Sequence, residues 1–194
     1  EVDKVVDYIR VLDLKGVLGG FDPSEILFMM DSGYDSKKVQ KVMLSRGWDF
    51  IIALKKDRSI LKDHSVFSQV GQFFEGGRRK WKTVRIKSDG GKTRTYRIKQ
   101  KLGYLRGVDK KVQLICSRKT TQQIKHFACS DLKVVPKVII ELYQKRWRVE
   151  TFHREIKSYL GLEDSAAHSF NAITSHLYWV YVAFILLHEV GHEE

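Results

Sequence analysis

The amino-acid sequence predicts an α/β fold with a β-rich insertion, and three observations lead to that class. Residues 26–54 read as strand, helix and strand with short links, the pattern of a βαβ unit whose two strands are parallel. In the middle of the chain, alternating side chains and Gly-containing turns indicate antiparallel strands. After Pro136 the apolar residues recur with the period of an α-helix almost to the end of the chain.

The βαβ unit rests on two short apolar runs and a capped helix. ILFMM at 26–30 and DFIIAL at 49–54 are largely continuous rather than alternating, as expected for strands buried on both faces. Between them a helix is predicted over 37–46, because Ser36 can cap its first turn and Gly47 can end it.

The middle of the chain has a different pattern. Residues 81–87 and 93–99 alternate in character around Ser-Asp-Gly-Gly, which predicts a β-hairpin. A further strand is predicted over 112–117. The region 60–129 is therefore predicted to be a β-rich insertion.

Helices are predicted near both ends of the chain. Residues 2–15 place apolar side chains at helical spacing, and Pro136 suits the first turn of a long helix over 137–160. A last helix over 170–189 contains the uncharged run LYWVYVAFILL. That run has 11 residues, whereas a helix that spans a bilayer needs about 20. We therefore expect a buried helix and no membrane association.

The charge of the chain is concentrated in one segment. The 35 Lys and Arg exceed the 23 Asp and Glu by 12, and residues 76–111 alone hold 14 Lys and Arg against two Asp. Trp81 and Tyr96 are interleaved with these cations. Such a ribbon indicates contacts with nucleic-acid phosphates, and a solvated hairpin face is the alternative. The candidate DNA-binding residues of the ribbon are Arg78, Arg79, Lys80, Lys82 and Arg94.

The stretch YQKRWRVETFHREIK over 143–157 places two carboxylates among basic side chains. A continuous helix advances about 100° per residue and would bring four polar side chains within about 60° of one another: Tyr143, Arg146, Glu150 and Lys157. Glu155 would lie on another face. Glu150 therefore belongs to a polar row with two cations. The alternative is a set of surface pairs worth a few tenths of a kcal/mol each.

Asp31 adds a second candidate carboxylate. It follows the first predicted strand directly, at the edge of the sheet where open α/β folds place ligands. Asp31 and Glu150 together would give Mg²⁺ two of the oxygen ligands that this hard ion prefers. Two such ions about 4 Å apart can activate a water and stabilise the leaving oxygen in phosphodiester chemistry. Arg146 and Lys157 would hold the phosphates.

The pattern Y-x2-R-x3-E-x6-K over 143–157 resembles, in every residue and spacing, the signature of DDE transposases of bacterial insertion sequences in the fourth insertion-sequence family. MDSGYDSKK at 30–38 looks like that family's second-aspartate motif at the end of a strand. DFIIALKKD at 49–57 and SDL at 130–132 are also similar to the family. The resemblance covers nearly the whole chain.

This resemblance implies an RNase H-like (integrase/transposase-type) catalytic core with a β insertion between the second Asp and the Glu. It implies cutting and rejoining of DNA with Mg²⁺ or Mn²⁺, through an attacking water or 3′-hydroxyl. Asp31 would be the second metal ligand and Glu150 the third, and three residues would bind phosphates near the transposon end: Tyr143, Arg146 and Lys157. The implied partners are transposon-end and target DNA and a second copy in a synaptic homodimer. The implied location is the nucleoid of a bacterial or archaeal cytoplasm.

The family also needs a first Asp on the first strand of its core. Only 30 residues precede Asp31, and we expect them to form a helix and a loop. None of the available carboxylates then follows an apolar strand: Asp3, Asp7, Asp13 and Asp22. We therefore expect the C-terminal part of a transposase, without its first strands and inactive alone. Its core would comprise 1–59 and 130–194, on either side of the 60–129 insertion.

Other interpretations remain open at this point. The segment 155–157 matches the end of a PD-(D/E)xK nuclease motif, which needs a strand, whereas a helix would turn its two side chains about 200° apart. Residues 188–192 match the H-E-x-x-H zinc helix, which still needs a third ligand. Cys116 and Cys129 form no metal pattern and are expected to be reduced thiols in a cytosolic protein. A further alternative is a non-catalytic DNA-binding or interaction remnant of a transposase.

Overall fold

The computed structural model describes residues 2–14, 16, 22–61, 67–75, 80–87, 91–119, 123–165 and 168–190. The chain divides into two compact units, Glu1–Gln144 and Lys145–Glu194. All the strands that the structure describes lie in the first unit.

The described residues form eight strands, which are β1 Leu27–Met30, β2 Asp49–Leu54, β3 Ser59–Leu61, β4 Phe67–Gln69, β5 Lys82–Lys87, β6 Thr93–Leu105, β7 Lys111–Lys119 and β8 Lys125–Cys129. Their α-helices are α1 Val2–Val11, α2 Lys37–Ser45, α3 Val70–Glu75, α4 Pro136–Lys145, α5 Trp147–Ser158 and α6 Phe170–Val190. Two short 3-10 turns cover Pro23–Glu25 and Ser32–Tyr34. This order confirms a mixed α/β fold.

The βαβ unit forms as the sequence predicts. β1 and β2 are parallel neighbours, with Leu27 opposite Asp49. The hydroxyl of Ser36 accepts the backbone N–H of Lys38 at 3.3 Å and caps α2. Gly47 follows the helix with a φ of +77°, a conformation that glycine adopts at little cost and that commonly ends helices.

One sheet contains all of these strands. Its order is β1-β2-β8-β7-β6-β3-β4, and β5 pairs with β6. β8 is antiparallel to β2, so strands from the region 60–129 extend the sheet that the βαβ unit begins. The predicted hairpin is confirmed, with Lys87 opposite Thr93, while turn residues 88–90 lie outside the described part of the chain. The boundaries of the insertion stay a prediction.

Apolar clusters cover both faces of this sheet. Successive residues of β2 enter opposite clusters, with Ile52 in the first and Ile51 in the second. The first cluster includes Ile9 of α1 and Val39 of α2, and the second includes Ile139 of α4. Burial on both faces explains why the central strands are continuous apolar runs in the sequence.

The prediction of a single helix over 137–160 is wrong. α4 ends at Lys145, a turn follows at Arg146, and α5 begins at Trp147. α4 packs its apolar residues, Ile139 among them, into the second cluster, whereas α5 packs against α6. The helical period of the sequence continues through the break, so tertiary packing sets a boundary that periodicity does not show.

The prediction that the last helix is buried is wrong for most of its surface. Tyr178 and Trp179 of α6 are 68% and 71% exposed. Within its own unit α6 packs on α5, where Phe152 meets Phe184 with 4.7 Å between ring centroids. One neighbouring helix can cover only one side of a helix that is apolar all round. Among the described helices, only α6 is long and apolar enough to cross a bilayer, over 170–188. Core helices of soluble proteins meet the same criterion of length and composition.

Candidate active site and nucleic-acid interface

Asp31 follows the carboxyl end of β1, beside the parallel strand β2. Its Oδ1 accepts the backbone N–H of Gly33 at 2.7 Å, which caps the 3-10 turn over Ser32–Tyr34. The side chain is half-buried and one of its oxygens is fixed by the backbone. This edge of the sheet is where open α/β folds bind ligands.

A buried ion pair holds the loop that carries Asp31. Asp35 Oδ1 lies 3.2 Å from Nε of Arg58, which belongs to the turn after β2, and the Asp35 side chain is only 6% exposed. Asp35 also accepts an amide hydrogen of Gln40 at 2.8 Å. Burial raises the pKa of Asp35, while the charge of Arg58 and the Gln40 hydrogen bond act in the opposite direction. The β1–α2 loop is thereby tied to the turn after β2.

Tyr143 lies on α4, within the first unit. Its ring packs on the ring of Phe127 of β8, with 4.7 Å between centroids, and both belong to the second apolar cluster. The sheet therefore fixes the position of this ring. A small cavity lies beside it, between α4 and strands β6 to β8.

The other three residues of the Y-x2-R-x3-E-x6-K pattern lie in the second unit. A terminal nitrogen of Arg146 is 2.5 Å from Oε1 of Glu150, and Lys157 Nζ is 2.5 Å from Oε1 of Glu163. Glu150 belongs to the first turn of α5, where the helix dipole favours negative charge. The structure thus brings Arg146 and Glu150 together, and it pairs Lys157 with a different carboxylate. Because the helix is broken, Tyr143 belongs to a different helix from Glu150.

Comparison with known protein families matches residues 10–186 to the family described as Transposase DDE domain. The chain belongs to this family. No curated protein matches the chain. Transposases of this family act on DNA, in transposition and recombination, and typically use divalent metal ions.

The basic ribbon of this transposase domain is the β5–β6 hairpin and the residues just before it. Lys80, Lys82 and Arg94 are exposed. Cross-strand pairing places Lys82 and Arg94 on the same face of the hairpin. Arg78 and Arg79 lie outside the residues that the structure describes.

The two candidate metal ligands have the right donor chemistry. Asp31 and Glu150 offer carboxylate oxygens, which Mg²⁺ prefers, and each has one oxygen in a hydrogen bond, to Gly33 and Arg146 respectively. Within the described ranges, no three His, Cys, Asp or Glu side chains group as a metal site. Asp31 belongs to the first unit and Glu150 to the second, and a shared metal site stays a prediction.

The nuclease interpretation is wrong. Residues 155–157 lie inside α5, whereas that motif requires a strand. Glu155 Oε2 instead lies 3.4 Å from Nε2 of His188, the first histidine of the H-E-x-x-H sequence. The second, His192, is outside the described part of the chain, so the zinc interpretation stays untested.

Cys116 and Cys129 are both free and buried, while their redox state in the cell stays a prediction. Burial raises the pKa of Cys116 to about 11 and that of Cys129 to about 12. Both thiols are therefore protonated at neutral pH and serve as packing groups.

Two features near the candidate residues have no counterpart among the sequence motifs. One is the Asp35–Arg58 ion pair, whose only sequence signal is that Asp35 shares the segment 30–38 with Asp31. The other is the cavity beside Tyr143, which Gln144 helps to line. Strand pairing brings the lining of that cavity together from distant parts of the chain, so no local sequence motif predicts it.

Proposed function

We propose that this chain is the catalytic part of a DDE transposase of a bacterial insertion sequence, in the fourth insertion-sequence family, with an RNase H-like core. It binds transposon-end DNA and, when complete, cleaves and rejoins it. The observation that carries this proposal is the unbroken Y-x2-R-x3-E-x6-K spacing over 143–157 in a chain of the transposase DDE domain family. The fit of a β-rich segment between Asp31 and Glu150 supports it.

In this proposal Asp31 and Glu150 are the catalytic carboxylates and hold Mg²⁺ or Mn²⁺. When bound, the metal would activate the attacking oxygen and stabilise the leaving oxygen of the phosphodiester. The Gly33 N–H orients the carboxylate of Asp31. Arg146 orients that of Glu150 before any ligand is present.

The DNA backbone would be held by cations around these carboxylates. Arg146 and Lys157 supply charge beside Glu150, and Arg can bind a phosphate through two parallel hydrogen bonds. Tyr143 supplies a hydroxyl from a ring fixed against the sheet. The β5–β6 ribbon supplies further phosphate contacts through Arg78, Arg79, Lys80, Lys82 and Arg94. Such contacts position DNA without reading its sequence.

The third carboxylate of the family does not stand out among the residues before β1. Asp3 and Asp7 lie on α1 and pair with Lys38 and Arg10, and Asp22 caps the Pro23–Glu25 turn. We propose that these 194 residues alone bind DNA but do not cleave it.

The alternative function is a DNA-binding or interaction remnant of a transposase, which could also associate with intact subunits as a dimer. The observation that favours it is the basic β5–β6 hairpin, whose exposed Lys82 and Arg94 could bind DNA without a metal site. The proposed cellular setting, the nucleoid of a bacterial or archaeal cytoplasm, is common to both functions.

One assay separates these functions. Supercoiled DNA is incubated with the chain and Mg²⁺ or Mn²⁺, beside the Glu150→Gln variant and the matched control Glu155→Gln. Nicking that is lost in Glu150→Gln and retained in Glu155→Gln would establish a complete active site. A salt-sensitive gel shift without nicking supports binding without cleavage. If the chain neither nicks DNA nor shifts it in a gel, the proposal as a whole is rejected.

A further inference from the structure

The cavity beside Tyr143 has a volume of about 90 Å³. An apolar cavity of about 150 Å³ holds a benzene ring, so this smaller space suits a group of a few heavy atoms and not a nucleobase. All of its lining residues belong to the first unit, and they are Tyr96, Ser117, Lys119, Gln123, Lys125, Phe127, Ile140, Tyr143 and Gln144.

Strand register explains why two cations meet here. Ser117 is the direct cross-strand partner of Lys125, and Lys119 is the direct partner of Tyr96. Lys119 lies two residues beyond Ser117 on the same face of β7, so it is a diagonal neighbour of Lys125. Like charges at such positions repel each other, and the lining contains no carboxylate to separate them.

Gln144 provides an independent observation at the same cavity. Its amide nitrogen Nε2 is buried and has no hydrogen-bond acceptor among the described residues. A buried donor without a partner costs the free energy of its desolvation, and native proteins leave few of them. Gln144 also lines the cavity, so a rotation of its side chain towards the cavity would bring this amide to an acceptor on a ligand.

We propose that this cavity binds one phosphate group of a DNA backbone, which accepts hydrogen bonds from the amide of Gln144 and takes its charge balance from Lys119 and Lys125. The inference rests on the proposed function and extends it to residues outside the Y-x2-R-x3-E-x6-K pattern. A phosphate matches the lining in three respects. It is small, it is anionic, and its oxygens can accept hydrogen bonds from the amide N–H of Gln144.

The source of the phosphate is DNA rather than a free ion, because the cations continue beyond the cavity. Tyr96 lines the cavity, and Arg94 lies two residues before it on the same face of β6. Lys82 shares that face of the β5–β6 hairpin. A polyanion can use the cavity and these exposed cations at the same time, which a single phosphate ion cannot.

The first experiment tests the cavity with inorganic phosphate alone. The side-chain amide signals of Gln144 are identified in an NMR spectrum by their absence from Gln144→Leu, and phosphate is then added to the full chain. We expect the Gln144 signals to shift. The amide of Gln113 is the internal control, since it already donates to the carbonyls of Asp131 and Val134 at 2.8 Å each. Because Gln144→Leu removes an unsatisfied donor, its urea midpoint should equal or exceed that of the wild type.

The second experiment tests the source with a DNA duplex. Each phosphate contact adds about 0.9 to the slope of log affinity against log salt. The double variant Lys119→Gln/Lys125→Gln should reduce that slope by about one contact in total and not by two, because both cations share one phosphate. Gln144→Leu should weaken DNA binding by about tenfold to a hundredfold, the range for a hydrogen bond to a charged group. Lys4→Gln, at an exposed position of α1 outside the basic segment 76–111, is the matched control.

Four outcomes are distinct. A Gln144 shift together with a shared loss of slope supports the proposal. A Gln144 shift with unchanged DNA binding in the double lysine variant identifies a free-phosphate site and overturns the assignment to DNA. No Gln144 shift, together with a loss of two contacts in the double lysine variant, overturns the cavity as a site and leaves two separate surface contacts. If the chain binds no DNA duplex at all, the proposed function is rejected, whether or not phosphate shifts the Gln144 signals.

Discussion

A terminal nitrogen of Arg146 lies 2.5 Å from Oε1 of Glu150, one helical turn away. The arginine and the glutamate of the Y-x2-R-x3-E-x6-K pattern are therefore partners before DNA or metal is present. A metal ion at Glu150 would compete with the guanidinium for the same oxygen, and a phosphate would compete with the carboxylate for the same guanidinium. In the proposed function, the pair would therefore couple the binding of metal to the binding of phosphate through one side-chain contact.

Arg146→Gln should have opposite effects on the two ligands. We expect DNA affinity to fall, because a cation near the phosphates is lost, and Mn²⁺ affinity, measured by electron paramagnetic resonance, to rise or stay equal. The side chains of Arg146 and Glu150 are 21% and 40% exposed, so the pair contributes no more than about 1 kcal/mol to stability. Arg154→Gln, an exposed substitution on α5, is the control. A fall in Mn²⁺ affinity for Arg146→Gln alone would contradict this competition.

Two substitutions of Asp31 should separate its structural role from its charge. Asp31→Asn keeps an oxygen that can accept the Gly33 N–H, so its unfolding free energy should stay close to that of the wild type. Asp31→Ala removes this cap and should cost about 1 kcal/mol. Both variants should lose Mn²⁺ affinity to the same extent, because both lose the carboxylate. Retained Mn²⁺ affinity in Asp31→Asn would exclude a charge-dependent role.

The parts of the fold that follow from local chemistry could be predicted from the sequence. Ser36 and Gly47 predict the two ends of α2. The continuous apolar runs at 26–30 and 49–54 predict strands that are buried on both faces. The β5–β6 hairpin follows from its alternation and its Gly-rich turn. Each of these features depends on residues within a few positions of one another.

The features that depend on distant packing could not be predicted. The break at Arg146 separates two helices with different partners, although the apolar period is continuous across it. The cavity beside Tyr143 needs the register of three strands, which places Lys119 and Lys125 beside Gln144. The exposure of α6 depends on how many neighbours surround it, and an apolar run cannot indicate that number.

Arg58→Leu should destabilise the chain strongly at neutral pH. It leaves the carboxylate of Asp35, 6% exposed, without its cation, and breaking a buried ion pair typically costs about 3–5 kcal/mol. Burial already raises the pKa of Asp35 above its ordinary value of 3.8, and loss of Arg58 should raise it further. The double variant Arg58→Leu/Asp35→Leu should recover much of the stability, because no uncompensated charge remains.

The pH dependence of this penalty has a definite sign. A carboxyl whose pKa is raised in the folded state favours folding below its unfolded pKa, and this contribution is lost as pH rises through the folded pKa. The penalty of Arg58→Leu should therefore be smaller at about pH 4 than at about pH 7. Urea unfolding at both pH values measures it. An equal penalty at both would show that Asp35 is not the group left uncompensated.

His126 should make the stability of the first unit sensitive to pH in the opposite direction. The ring is buried against Phe74, with 5.9 Å between centroids. Burial lowers its pKa below the ordinary 6.5, the charge of Lys56 lowers it further, and Glu75 opposes both. A base with a lowered folded pKa stabilises the fold above its unfolded pKa, and this stability is lost as pH falls through that value towards the folded pKa.

His126→Phe keeps a ring against Phe74 and removes the titration. The wild type should lose stability relative to this variant as pH falls from about 7.5 to 5.5, by at most about 1.4 kcal/mol per pH unit for one proton. Urea unfolding across that range gives the comparison, with His168→Gln, an exposed histidine, as the control. Parallel pH profiles for the wild type and His126→Phe would mean that protonation of His126 is not coupled to folding. If the pH profile of stability differs from the wild type in His126→Phe but not in His168→Gln, protonation of the buried His126 ring is coupled to folding. That ring lies on the face of the sheet opposite Tyr143.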